Sequence, residues 1–397
     1  MSSFERMWAD LAPVGRSAST GGYRRFAWTT TDATLREWFV GEAQGRGLDV
    51  VPDRAGNLWA WSGDPDADGP GLVVGSHLDS VPDGGAFDGP LGVVSAFAAL
   101  DELRARGSAP RRPLGIACFA DEEGARFGVA CAGSRLLTGA LDPDRARALT
   151  DDQGTTMAEA LSSAGQDARA LGRDDETLRR VGTFLELHVE QGRALVDAAA
   201  PVGVASSIWP HGRWRLDLRG RSDHAGTTRL ADRDDPMLAL ATAISGARAS
   251  AERHGALATV GKLRVRPNGV NAIPSEVTAW LDARGPSEDD VRAVVAEVAA
   301  AAGTAAAEES WTASTDFDVP LRDRLAAVLG DGTGAPAPVL PTGAGHDAGI
   351  LSAAGVPTAM LFVRNPTGVS HSPAEHAEPG DCLAGVAALA RAIEALS

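Results

Sequence analysis

The chain has 397 residues, 44% of them hydrophobic and 23% charged, which suits a globular protein and makes two domains the default. A formal charge of −16 argues against a nucleic-acid surface, three cysteines are too few and too scattered for a disulfide scaffold, and no stretch has the length and apolarity of a membrane span. The opening MSSFERMWADLAPVG lacks a basic region followed by an apolar core, so a cytoplasmic enzyme is expected.

In chain order, helical patterns around Ser3 to Leu11 and Asp32 to Arg46 precede short strands near Leu48 to Val51 and Asn57 to Trp61. A turn-rich GDPDADGP loop follows. The stretch Gly71 to Ala98, GLVVGSHLDSVPDGGAFDGPLGVVSAFA, then reads as a buried strand ending in Gly75 and Ser76 and a helical pattern from about Leu91. Between them His77, Asp79, Asp83 and Asp88 share a loop whose Gly84, Gly85 and Gly89 permit tight turns. Ligands of open α/β sheets are bound where a parallel strand feeds a helix. A histidine with a carboxylate two residues on suits an imidazole that binds metal through one nitrogen while Asp79 orients the ring. A solvated turn would explain one such loop. The design recurs, because the apolar strand Leu114 to Phe119 delivers Asp121, Glu122 and Glu123 at its end.

Residues 125 to 183 are polar and helical in pattern, without evident chemistry. FLELHVEQG then sets His188 and Glu190 at alternate positions of a strand, on one face, and residues 193 to 208 read as a bridge. Beyond it the periodicity changes. RWRLDLRG alternates, Asp235 to His254 is helical, Thr259 to Arg266 and Glu276 to Arg284 alternate, Ser287 to Ala301 is helical, and Ala306 to Phe317 completes a β-α-β-β-α-β order. Its outer strand is a candidate dimer seam. From Leu321 the α/β style returns with LPTGAGHDAGI, the strand Thr358 to Arg364, the loop NPTGVSHSPAEH and a helix over Asp381 to Leu396. The organisation expected is a larger α/β domain with a mixed central sheet flanked by helices (residues 1–208 and 321–397), interrupted by a smaller α+β domain (209–320).

His77, Asp88, Glu123, His188 and His371 come from four strand-end loops, as a sheet-assembled enzyme site requires. Three imidazoles and two carboxylates suffice for two divalent ions if one carboxylate bridges. Nitrogen and oxygen donors suit Zn²⁺, Mn²⁺, Co²⁺ or Ni²⁺ without choosing among them. With Glu123 on metal, its neighbour Glu122 is free to serve as general base to a metal-activated water and then as acid to the leaving nitrogen.

On the segments GSHLDSVPDGGAFDGPLGV, FADEEGARFG, LHVEQG, SDHAGTT, RPNGVNAIPSEVTAWLDAR, TGAGHDAG and SHSPAEH, the chain resembles the dinuclear-metal amidohydrolases related to aminoacylases and zinc carboxypeptidases. Within them it looks like the branch of N-carbamoyl-L-amino-acid hydrolases, β-ureidopropionases and allantoate amidohydrolases. The resemblance implies one ion on His77, Asp88 and His188 and a second on Asp88, Glu123 and His371, with Asp88 bridging and Glu122 catalytic. It implies that the smaller domain is a lid that also pairs two subunits. His224 in that lid is implied to steady the oxyanion in the partner's site. Asn271 and Arg284 are implied to hold a substrate carboxylate, Gln191 to stand near the ureido end, and the Gly343 and Ala344 backbone to add donors. Arg229 and Leu230 depart from the family's usual proline and methionine. The expected activity is hydrolysis of an N-carbamoyl-L-amino acid to the amino acid, carbon dioxide and ammonia. Allantoate hydrolysis, a broader N-acyl-amino-acid amidase or dipeptidase, and an inactive metal-binding protein are the alternatives.

Overall fold

In the computed structural model, which describes residues 2–330 and 334–397, the chain divides into two compact units. Residues 1–207 and 316–397 form one; residues 208–315 form the other. Besides the two-residue strand Thr315–Asp316, the strands are β1 (Asp49–Pro52), β2 (Leu58–Ser62), β3 (Gly71–His77), β4 (Leu114–Phe119), β5 (Val181–Val189), β6 (Val202–Ile208), β7 (His211–Arg219), β8 (Asp223–His224), β9 (Leu257–Arg266), β10 (Ala272–Ile273), β11 (Glu276–Arg284), β12 (Ala306–Thr312), β13 (Val339–Thr342) and β14 (Thr358–Val363).

The larger unit is organised by a mixed nine-stranded sheet in the order β1-β2-β4-β3-β5-β14-β6, with β13 and the two-residue strand Thr315–Asp316 also on β6. Its centre, β4-β3-β5-β14, is parallel, while the β1-β2-β4 and β14-β6 pairings are antiparallel. The sequences of β3 (GLVVGSH), β4 (LGIACF) and β14 (TAMLFV) are buried at every residue. Unbroken apolar runs of this kind are what a parallel sheet covered on both faces demands. The helix Pro90–Ala105 is buried along most of its length, and a Cβ on its Gly92 would lie 2.3 Å from the carbonyl oxygen of Leu187. Glycine there lets helix and sheet approach. The region 125–183 folds into short helices, including Ala132–Thr138, Pro143–Ala148 and Met157–Ser163, around an apolar cluster of Phe127, Leu136, Leu141, Met157, Leu161 and Leu171.

Two expectations change. The bridge proposed over 193–208 contains β6, whose VGVASSI is too poor in large apolar side chains to announce a strand. The strand proposed to reach Phe317 breaks after Thr312: Thr315–Asp316 pairs instead with β6, and Phe317 is buried with its N–H donating to the Ser206 carbonyl.

The smaller unit has the antiparallel sheet β12-β7-β11-β9, with the helices Pro236–His254 and Glu288–Ala302 packed against it. Alternation does the sorting: Trp214, Leu216, Leu218, Val277, Ala279 and Leu281 join Leu240, Val291, Val294 and Val298 in the core, while Arg213, Arg215 and Arg219 lie on the opposite face of β7. The β-α-β-β-α-β order is the one expected, with a two-residue ladder between β8 and β10 added to it. Among the described residues no helix is long and apolar enough to cross a membrane.

Candidate active site

The parallel strands β4, β3, β5 and β14 release their loops at one edge of the sheet. Ladder register aligns His77 with Phe119, Gly75 with Glu186, and Phe362 with His188. Strand geometry alone therefore brings His77, the 121–123 acids and His188 to neighbouring strand ends, and the loop after β14 adds His371. Gly89 secures the approach of Asp88: it has φ +84, and a Cβ on it would fall 2.4 Å from the His77 ring.

Asp88 is the hub. Its Oδ1 lies 3.1 Å from His188 Nε2 and 3.5 Å from His77 Nε2, and its Oδ2 lies 3.4 Å from His371 Nε2. His371 Nε2 is also 3.5 Å from Glu123 Oε2. The donors fall into two groups, His77–Asp88–His188 and Asp88–Glu123–His371, which have Asp88 in common. The far nitrogens of the two buried rings contact carbonyls, His77 Nδ1 with Asp79 O at 3.2 Å and His188 Nδ1 with Val189 O at 2.9 Å. This fixes both tautomers so that each Nε2 presents its lone pair to the centre. Neither Nε2 finds a hydrogen-bond partner among the described residues, although both side chains are fully buried. Ligands about 2.0–2.1 Å from one ion at tetrahedral angles would stand roughly 3.4 Å apart, and the donor separations match that spacing. The site thus has the donor types, the lone-pair directions and the spacing of a metal centre.

Asp79 meets the His77 ring through both its backbone oxygen and its carboxylate, whose Oδ1 lies 3.4 Å from His77 Nδ1, and its carboxylate oxygens also accept the N–H groups of Glu122 and Glu123 at 3.2 and 3.0 Å. It ties the β3 loop to the β4 loop. The Glu122 side chain is buried with Oε2 3.7 Å from His77 Nε2, and Glu123 Oε1 accepts from Val81 N. Gln191 donates from Nε2 to Asp88 Oδ2 at 2.8 Å and to Ser370 Oγ at 3.0 Å, so its amide orients the hub.

Electrostatics follow from this crowding. Burial pushes the Glu122 carboxyl well above its ordinary value, with Asp347, Glu123 and Asp79 adding to the rise and His77 opposing it. Glu123 is pushed up to about 7 by burial and by Asp88. Burial would raise Asp88 too, but His188, His371 and His77 outweigh it and hold the carboxyl well below the usual range. Burial works against charge on His371, yet Asp88 and Glu123 lift it to about 9.

Several residues that the sequence does not single out join the site. Ser370 donates to Asp88 Oδ2, and Glu375 Oε1 accepts from Phe87 N and Asp88 N at 2.7 and 2.9 Å, clamping the hub's backbone. Both lie within SHSPAEH, so nearness to His371 was the available signal. Glu186 sits beneath His188 and accepts from Ser76 Oγ and Ala348 N, with the His346 ring 4.5 Å from that of His188. Its signal was strand alternation. The same alternation misled at Glu190, which instead caps the short helix Ala194–Asp197 through the N–H groups of Ala194 and Leu195.

The remaining candidates have local partners of their own. Ala344 N donates to Thr342 Oγ1 within its own turn, with Gly343 beside it. In the smaller unit, His224 on β8 is paired with Ala272 on β10, and Ala225 N donates to Asn271 O, which sets His224 and Asn271 side by side on an exposed loop pair. Arg284 forms hydrogen bonds to Asp282 from both Nε and Nη2. Arg229 pairs with Asp232, and Leu230 is exposed.

A buried carboxylate shared by imidazoles at the carboxyl ends of parallel strands, with a second raised carboxyl alongside, defines a metal-dependent hydrolase centre. The chain belongs to peptidase family M20/M25/M40, whose sequence model matches residues 73–395. It is 36% identical to the N-carbamoyl-L-amino acid amidohydrolase of Geobacillus stearothermophilus, over 97% of this chain and 96% of that protein. A crystal structure of an amidase of the hydantoinase/carbamoylase family from Burkholderia vietnamiensis is similar with a TM-score of 0.88 at 30% identity, covering 98% and 96% of the two chains. The ureidoglycolate hydrolase of Arabidopsis thaliana is 32% identical over 94% of this chain and 82% of that protein.

Proposed function

We propose that the protein hydrolyses the ureido C–N bond of N-carbamoyl-L-amino acids, releasing the amino acid, carbon dioxide and ammonia. The observation that carries this is the convergence of His77, His188 and His371 on Asp88 with Glu122 beside them, in a chain whose relatives act on carbamoyl and ureido compounds. Two divalent ions, Zn²⁺ or Mn²⁺ with Co²⁺ or Ni²⁺ as alternatives, are assigned to His77, Asp88 and His188 and to Asp88, Glu123 and His371. When bound, such ions polarise a carbonyl oxygen and acidify water.

The side chains supply the rest. Glu122, whose carboxyl burial holds well above its ordinary value, takes a proton from the attacking water and returns it to the departing nitrogen. Gln191 and Ser370 keep Asp88 oriented, and Asp79 keeps Glu122 and Glu123 in register. For the substrate, we assign the Arg284 guanidinium and Asn271 to the carboxylate, with the Gly343 turn as an added contact, and the His224 imidazole to the oxyanion, donated from the second subunit of a homodimer. A donor brought in by closure acts where charge develops and water is expelled. We read the protein as a cytoplasmic enzyme.

The test is release of free amino acid from N-carbamoyl- and N-acetyl-L-amino acids, and of ammonia from the N-carbamoyl compounds and allantoate, by Mn²⁺- or Zn²⁺-loaded protein. Turnover on the carbamoyl series, abolished by chelation, is expected. Turnover confined to the N-acetyl compounds would overturn the assignment, and turnover confined to allantoate would move it to the neighbouring activity of the same branch.

A further inference from the structure

At the exit of β4 the chain runs back along itself. Gly133 N donates to Ala120 O, Ala132 N to Asp121 O, and Cys131 N to Glu122 O. The return is closed at Gly124, where φ is +60 and a Cβ would meet the Val129 backbone at 2.4 Å. Cys131 is thereby set opposite Glu122, in the left-handed region at φ +55, with its Sγ 3.3 Å from Glu122 Oε1. Among the described residues no other side chain donates to this carboxylate, and both residues are buried. The two oxygens of Glu122 therefore have different surroundings, Oε1 against the thiol and Oε2 toward His77.

We propose that Cys131 is a positioning residue for the reaction: its S–H donates to Glu122 Oε1, fixes the rotamer, and leaves Oε2 as the oxygen that moves the proton. The inference rests on the acid–base assignment of Glu122 made above. Burial, with Glu122 and Asp347 nearby, pushes the Cys131 thiol well above its ordinary value, so the sulfur keeps its proton and remains a donor. An apolar residue of similar size would fill the space but leave a buried carboxylate oxygen without a partner. A thiol is a weak donor, so it orients the carboxylate while drawing less on its basicity than a hydroxyl or amide would.

The test compares Cys131→Ala, Cys131→Gly and Cys131→Ser with the native and Glu122→Gln proteins, all Mn²⁺- or Zn²⁺-loaded, on the best N-carbamoyl-L-amino acid. Rates are referred to folded, metal-loaded chains, and glycine suits the positive φ should alanine fold poorly. The donor-free variants are expected to lose about 10-fold in kcat with KM within about twofold and metal content unchanged. Serine, which can still donate, is expected to recover most of the loss. Native kcat in the donor-free variants, or a loss that serine does not repair, would overturn the inference alone, provided that Glu122→Gln is inactive. Full turnover by Glu122→Gln would overturn the assignment of Glu122 and this inference with it.

Discussion

In the smaller unit Asp282 stands with Arg284 and Arg213, and Glu297 with Arg253 and His254, on side chains that are partly open to solvent. In the larger unit Asp88 is buried among three imidazoles and an amide, with no arginine or lysine paired to it among the described residues. The first arrangement answers each charge locally, and solvent screening makes any one pair nearly dispensable. The second includes the buried Nε2 atoms of His77 and His188, which find no hydrogen-bond partner among the described residues. Burying such groups without compensation is expensive, so their presence marks a place where a cation from outside completes the fold.

That contrast ranks the expected effects of breaking it. Asp88→Asn should be the most damaging single change, since it weakens both donor groups at once: metal content and turnover are both expected to collapse, as read by metal analysis and ammonia release. Glu122→Gln should keep the ions and lose roughly 10²–10⁴-fold in kcat, a split that separates proton transfer from metal binding. Arg284→Gln, on the smaller unit, is expected to raise KM by roughly 10–100-fold with kcat little changed, the size of a lost charge-assisted hydrogen bond. A fall in kcat at constant KM would remove Arg284 from the carboxylate.

The smallest effect belongs to the exposed ion cluster. His254 is lifted above its ordinary value of 6.5 by Glu297, against the opposing effect of desolvation and with Asp290 adding to the rise. A raised folded value means that its contribution is fully present below about pH 6.5 and is lost as pH climbs through the folded value. A shallow decline in Tm across that window, flattened by His254→Gln, is the expected result.

Legibility in the sequence followed the same division. Continuous apolar runs and glycine-rich exits located β3, β4 and β14, and with them His77, Asp88, Glu122 and Glu123, because a buried parallel strand and its ligand loop leave a contiguous signature. What stayed hidden depends on the chain folding back on itself. Nothing in the spacing says that Cys131 will face Glu122 or that Glu375 will clamp the Asp88 backbone; both follow from turns closed by backbone hydrogen bonds. Glu186 and Glu190 flank His188 at equal distance in a period-two pattern, and only the strand's end, after Val189, decides which faces the sheet interior and which caps a helix.

The most direct test of the metal centre is anomalous diffraction from crystals of the Mn²⁺- or Zn²⁺-loaded protein. The account predicts two peaks in each chain, one on either side of Asp88, the first also touching His77 and His188 and the second Glu123 and His371. Peaks placed instead on Glu186, His188 and His346, or no peak near Asp88 in a fully active preparation, would contradict it.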